Sequence, residues 1–188
     1  MMSRLHAPFR RLACLLAAGI AMHAGYAADA PPRDTLSRTA DVATDARVWR
    51  LVPATAPALL AALVPIRPDK PTEEEWTLTG ASTSTGVAWT RVVFQAGRKP
   101  GQWDFLQMQI ALATTGSAPP SAQALAGSLA HRLGKPKAPA SGKAEHLNTW
   151  TMHGHSVAVR EGTFASPIDD SKQRVVLLEL AVDQGEAD

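Results

Sequence analysis

Two stretches 70 positions apart place large apolar residues at every second position. Leu106, Met108, Ile110 and Leu112 interleave with Gln107, Gln109 and Ala111, and Val176, Leu178, Leu180 and Val182 interleave with Leu177, Glu179 and Ala181. Successive side chains on a strand point to opposite faces, so this pattern requires strands with one buried face. Antiparallel sheets supply that arrangement, with one face on a core and the other against water. Val87 to Gln95 and Leu147 to Met152 read as further strands, and Val157 to Arg160 as a shorter one. Arg98-Lys99-Pro100-Gly101 and Pro167-Ile168-Asp169-Asp170 carry turn residues between strands.

Two helices are expected. Pro53-Ala54-Thr55-Ala56-Pro57 leads into Ala58 to Leu63, with Thr55 as N-cap and Pro65 as stop. In the second, Ala122, Leu125, Ala126, Leu129 and Leu133 share one face at helical spacing. Ser117 or Ser121 caps its start, and Gly134 with Pro136 ends it.

The halves resemble each other. Val87-Ala88-Trp89-Thr90 matches Val157-Ala158-Val159-Arg160, Phe94 matches Phe164, and Leu59 and Leu63 match Leu129 and Leu133, all 70 apart. Trp76-Thr77-Leu78-Thr79-Gly80 matches Trp150-Thr151-Met152-His153-Gly154 at a spacing of 74. Loop lengths that vary around fixed elements produce such an offset. An α-β-β-β unit occurring twice is expected, with half-repeats at about 53–113 and 119–183. The expected fold class is α+β: a six-stranded, largely antiparallel sheet with two helices on one face. The open face is the expected working surface. This helix-plus-sheet plan resembles that of β-lactamase-inhibitor-type proteins, without the disulfides expected of that family, and the resemblance carries over no binding residue.

The first 27 residues read as a secretory signal peptide. Arg4, Arg10 and Arg11 form a basic start, Leu12 to Ala24 is apolar except for His23, and small residues follow. That apolar run is shorter than the roughly 20 residues a membrane-spanning helix needs. The expected location is the periplasm or the exterior. Residues 28–47 are polar and without aromatics, and read as a flexible leader; 48–188 read as one domain.

Removing the signal changes the chemistry. The chain has 19 Lys+Arg and 17 Asp+Glu, and the signal holds three arginines and no acid, which leaves 16 against 17. A near-neutral domain has no electrostatic footprint for nucleic acid or an anionic membrane. The one cysteine, Cys14, leaves with the signal, so disulfides, thiol catalysis and cysteine-bound metals are excluded from the remainder.

Candidate sites are few. His153 and His155 flank Gly154, with His146 nearby, and a His-x-His pair on a strand can share a metal with a third ligand. Gly154 marks a tight hairpin tip, which disfavours that alignment, so no metal or other cofactor is expected. Glu73-Glu74-Glu75 precedes Trp76, an acidic patch beside an aromatic that suits a basic partner. Trp76 and Trp150 are expected to pack helices onto the sheet. Trp89, in a strand middle, and Trp103, at a strand start, become interface anchors if exposed. Lys135, Lys137 and Lys143 make the segment Gly134 to Glu145 locally basic.

No Gly-x-Ser-x-Gly elbow, phosphate-cradling glycine loop or His-Glu-x-x-His is present. Gln109 matches Glu179, so no symmetric carboxylate pair exists. The expected function is that of a small exported, non-catalytic binding protein of inhibitor or immunity type. Its partner would be another protein of the cell envelope, met through the open sheet face or the loops, without nucleic acid or stable membrane insertion. A structural or accessory role in the envelope is the alternative, and a small hydrolase or metal-binding protein the less favoured one.

Overall fold

Seven strands form a single antiparallel sheet in this computed structural model, which describes residues 33–114, 120–137, 148–152 and 154–182. The expected signal peptide, residues 1–27, lies outside the described residues. The strands are β1 (Ile66–Pro68), β2 (Glu75–Ser82), β3 (Val87–Ala96), β4 (Trp103–Ala113), β5 (Asn148–Met152), β6 (His155–Ala165) and β7 (Lys172–Val182). Their order across the sheet is β1-β2-β3-β4-β7-β6-β5. The fold is α+β, as the alternating patterns required, but with seven strands rather than six. The added strand, β1, is three residues long and ends in a proline, too short to show alternation.

The alternating stretches meet at the sheet's centre. β4 and β7 pair so that Gln109 faces Glu179 and Ile110 faces Leu178. At the edges, Arg67 faces Thr79 and Lys137 faces Thr149 in an isolated bridge. Positions 70 apart therefore hold matching places at the centre and at both edges. Two of the sequence matches do not follow this register. Trp150 stands where Gly80 stands, not where Trp76 stands. Arg91 faces Gln109 while Ala158 faces Glu179, so β3 and β6 match with a spacing of 67. The β5–β6 hairpin closes between Met152 and His155, whereas β2 and β3 are joined through a 3-10 turn over Thr83–Thr85. The shorter turn accounts for a slip in alignment.

One bulge changes the face of a predicted core residue. Val93 faces Gln107 but Phe94 faces Phe105, which leaves Leu106 unpaired between them. Phe105 is buried in its place. An extra residue in one strand reverses the alternation beyond it.

Three α-helices cover one face: α1 (Arg33–Thr44), α2 (Ala56–Leu60) and α3 (Ala122–Leu133). Ala40, Ala43, Leu60, Leu125 and Leu129 share a core with Leu78, Phe94, Met108, Ile110, Val159, Leu178 and Leu180 of the sheet. The ends of α3 are as predicted. Ser121 accepts from the Ala124 amide at 3.1 Å, and Gly134, at φ +81°, ends the helix. Helix α2 is shorter than expected, ending at Leu60.

The flexible leader expected for residues 28–47 is overturned where it is described, because 33–44 is helix α1. Thr35, Thr39, Ala40 and Ala43 are buried, and the Thr35 hydroxyl donates to the Thr85 carbonyl at 2.7 Å. Arg132 of α3 pairs with Asp41 of α1. The buried face of α1 is made of alanine and threonine, whose small side chains allow close helix packing without a strong apolar stripe.

The opposite face carries no described helix. Trp89, Ala111, Val175 and Leu177 form a smaller buried cluster there, with Ala88 and Phe164 against it.

Candidate functional site

An apolar concavity opens beside helix α2. Val52, Pro53 and Pro57 form one wall, and Pro68, Trp76, Leu78 and Trp103 the other, around a groove of about 500 Å³. That size falls within the range of ligand pockets. Local chain chemistry builds each wall. Leu51 to Ile66 contains no charged residue and three prolines, which keep α2 short and leave Val52 41% exposed. Trp76 starts β2 and Trp103 starts β4, and their rings meet edge to face, 5.6 Å apart at 70°. The Trp76 indole N–H donates to the Asp69 carbonyl at 2.9 Å, which fixes the ring against the end of β1.

The acidic run forms a turn next to this groove. The amides of Glu74 and Glu75 donate to the Thr72 hydroxyl at 3.3 and 2.9 Å, and the Thr72 amide donates to the Glu75 carbonyl at 2.9 Å. This turn leaves Glu73 and Glu74 exposed. Glu75 points elsewhere. Its carboxylate accepts from Arg91 at 3.2 Å and from Thr77 at 2.8 Å across the open face of the sheet. The three glutamates therefore do not act as one patch.

A second concavity, of about 520 Å³, occupies the matching place in the other half. Gln123, Gly127 and Asn148, each 70 positions after Pro53, Pro57 and Leu78 of the first groove, line it together with Ala126, Ala130 and Pro136. Here α3 runs for 12 residues and α2 for only 5. Trp150 is buried under α3, and its N–H donates to the Gly134 carbonyl at 2.9 Å. Trp150 thus packs a helix onto the sheet as expected, whereas Trp76 lines a groove.

Trp89 does not meet the condition for an interface anchor. It is 2% exposed, packed with Ala111 and Leu177, and its indole N–H is buried without a partner among the described residues. Trp103 is partly exposed and does line the groove.

Of the three histidines, His146 and His153 lie outside the described residues. His155 starts β6, and its imidazole stacks on Trp49, 4.3 Å between centroids and 4° from parallel. Among the described residues no three His, Cys, Asp or Glu side chains gather where they could hold a metal.

On the open face, Glu179 accepts from Gln109 at 3.0 Å and from Arg160 at 2.7 Å. Because Gln109 is neutral, this central position carries one carboxylate and its donors rather than two opposed charges. The carboxyls held below their usual range lie in turns away from the groove. Hydrogen bonds from Arg47 lower Asp45, and hydrogen bonds from Ser171 and Ser166 lower Asp169.

The groove was missed in the sequence because its walls come from separate segments. The charge-free run Leu51 to Ile66 was its one local sign, since such a run is too long for α2 alone to bury. The chain matches none of the known protein families, curated proteins or solved structures compared with it.

Proposed function

We propose that this protein is an exported, non-catalytic binding module that engages another protein of the cell envelope. The basic start and short apolar run of residues 1–27 support export. The binding reading rests on one observation above the rest: the groove between α2 and the Trp76–Trp103 pair. Proteins bury aromatic pairs or use them, and partly exposed tryptophans in a concave apolar site are the residues that anchor interfaces. The working surface in this reading is the groove and its adjoining loops rather than the open sheet face, whose tryptophan, Trp89, is buried in a cluster with Phe164 against it. We also read the halves as a duplicated helix-and-meander unit. The matching places of Arg67 and Lys137, and of Gln109 and Glu179, support that reading.

Affinity capture from an envelope extract under mild crosslinking tests the proposal. The natural protein is expected to retain one stoichiometric partner, and Trp103→Glu, if still folded by circular dichroism, is expected to lose it. A partner held equally by both proteins would remove the groove from the reading. Fractionation into a large assembly would favour an accessory role instead.

A further inference from the structure

We propose that the groove takes an extended, proline-rich segment of the partner whose two ends carry opposite charges. The proposal rests on the binding-module reading and specifies the chemistry of its partner. A proline-rich segment is a slender left-handed rod with about three residues per turn and no internal hydrogen bonds. Such rods dock in aromatic-lined grooves because little further ordering is needed on binding. Trp76 and Trp103, set at 70°, supply the aromatic wall. The Trp103 indole N–H has no partner among the described residues and is available to a ligand carbonyl.

The fold itself does not call for this apolar lining. The positions matching Pro53 and Pro57 carry Gln123 and Gly127 in the other half, where the same place on the sheet holds a concavity of mixed polar and apolar lining. Pro53 and Pro57 therefore answer to something other than the architecture, and Val52 beside them is 41% exposed.

Charge selects among apolar occupants. The β1–β2 connection holds Asp69, Glu73 and Glu74 against the single Lys70, and the β3–β4 turn holds Arg98 and Lys99. Both connections leave the same end of the sheet, on either side of Trp76. Glu73, Glu74, Arg98 and Lys99 are exposed and make no ion pair among the described residues. Lips of opposite sign suit a segment with a basic end and an acidic end, and they set its direction. An anionic membrane surface presents one sign only and matches half of this pattern.

The full-length protein is titrated, by calorimetry and tryptophan fluorescence, with synthetic peptides of about ten residues, long enough for roughly three turns of the rod. One has a proline-rich centre with two arginines at one end and two glutamates at the other. A second reverses the ends, and a third replaces the centre by glycine and serine. Vesicles of anionic phospholipid form a fourth arm. Saturable binding is expected for one of the two proline peptides, with the reversed peptide and the glycine–serine peptide at least about tenfold weaker. Trp103→Ala and, as a variant at an exposed position, Val52→Glu should each weaken it by about tenfold or more. Equal binding of the glycine–serine peptide, binding unaffected by both variants, or binding to vesicles alone would overturn the proposal. If no peptide binds yet Trp103→Glu still releases the captured partner, the proline-rich chemistry is wrong and the docking groove stands. If capture survives Trp103→Glu, the docking groove is wrong as well.

Discussion

The two concavities teach more together than either does alone. One lies against a helix of 5 residues and is walled by prolines and two tryptophans; the other lies against a helix of 12 and mixes Gln123 and Asn148 with Gly127, Ala126, Ala130 and Pro136. Both occupy the same register of the same sheet. Whatever the fold needs at that place, a lining of mixed polar and apolar side chains satisfies it in one half. In the other half Leu78 belongs to the core and Trp76 and Trp103 pack against it, but the proline wall with the exposed Val52 goes beyond what the fold needs there. An apolar surface that folding does not require is where function is sought.

The comparison can be broken or sharpened by substitution. The largest effect is expected under α3, where Leu129 is fully buried. Leu129→Ala should cost about 2–5 kcal/mol in urea unfolding, whereas Val52→Ser in the groove wall should stay within about 0.5 kcal/mol. Similar losses at both sites would make the groove wall part of the core.

The next effect separates the matched positions Gly80 and Trp150. A Cβ at Gly80 would lie 2.3 Å from the Pro65 carbonyl oxygen, because β1 approaches there. Gly80→Ala should destabilise by roughly 1–3 kcal/mol, although its counterpart carries an indole. A neutral result in a thermal melt would mean that β1 moves freely.

Smaller changes follow. Glu179→Gln weakens the partly buried pair with Arg160 and should cost about 1 kcal/mol. The loss should shrink at high salt, which screens the pair; a loss unchanged by salt would point to shape rather than charge. Gly127→Ala should go the other way, stabilising by about 0.5–1 kcal/mol, because nothing lies within 4 Å of the new Cβ and glycine disfavours a helix interior. A destabilised Gly127→Ala would show that this pocket depends on the missing side chain.

The smallest effect concerns the β6–β7 turn. Hydrogen bonds from Ser171 and Ser166 hold Asp169 below its usual range, so the folded state favours its ionised form. That contribution is fully present above the unfolded carboxylate pKa of about 3.9 and is lost as pH falls through the lowered folded value. Asp169→Asn should remove a small part of the acid sensitivity of unfolding, and an unchanged pH profile would show that the turn bonds do not matter to stability.

Much of the sheet was legible because alternation is local. Leu178 and Leu180 announce their faces through their neighbours, and Ser121 and Gly134 mark the ends of α3 through their own backbone chemistry. Helix α1 was not legible, because alanine and threonine at Thr39, Ala40 and Ala43 make no apolar stripe even where they are fully buried. Strand β1 was too short, and the bulge at Leu106 depends on what Phe94 meets across the sheet. Of the candidate site, Trp103, Glu73 and Glu74 were singled out from sequence, but Trp89 was not separable from them. A tryptophan at the right period reads the same whether a second cluster covers it or water does.

The amino-acid sequence by itself determined an antiparallel α+β sheet, its turns and the ends of helix α3, since these follow from periodicity and from residues acting on their own backbone. Only the tertiary structure decided which tryptophans stay accessible, how the halves align at Gln109 and Glu179, and that a groove exists beside α2. Exposure and concavity are properties of segments distant in the chain, and no local pattern carries them.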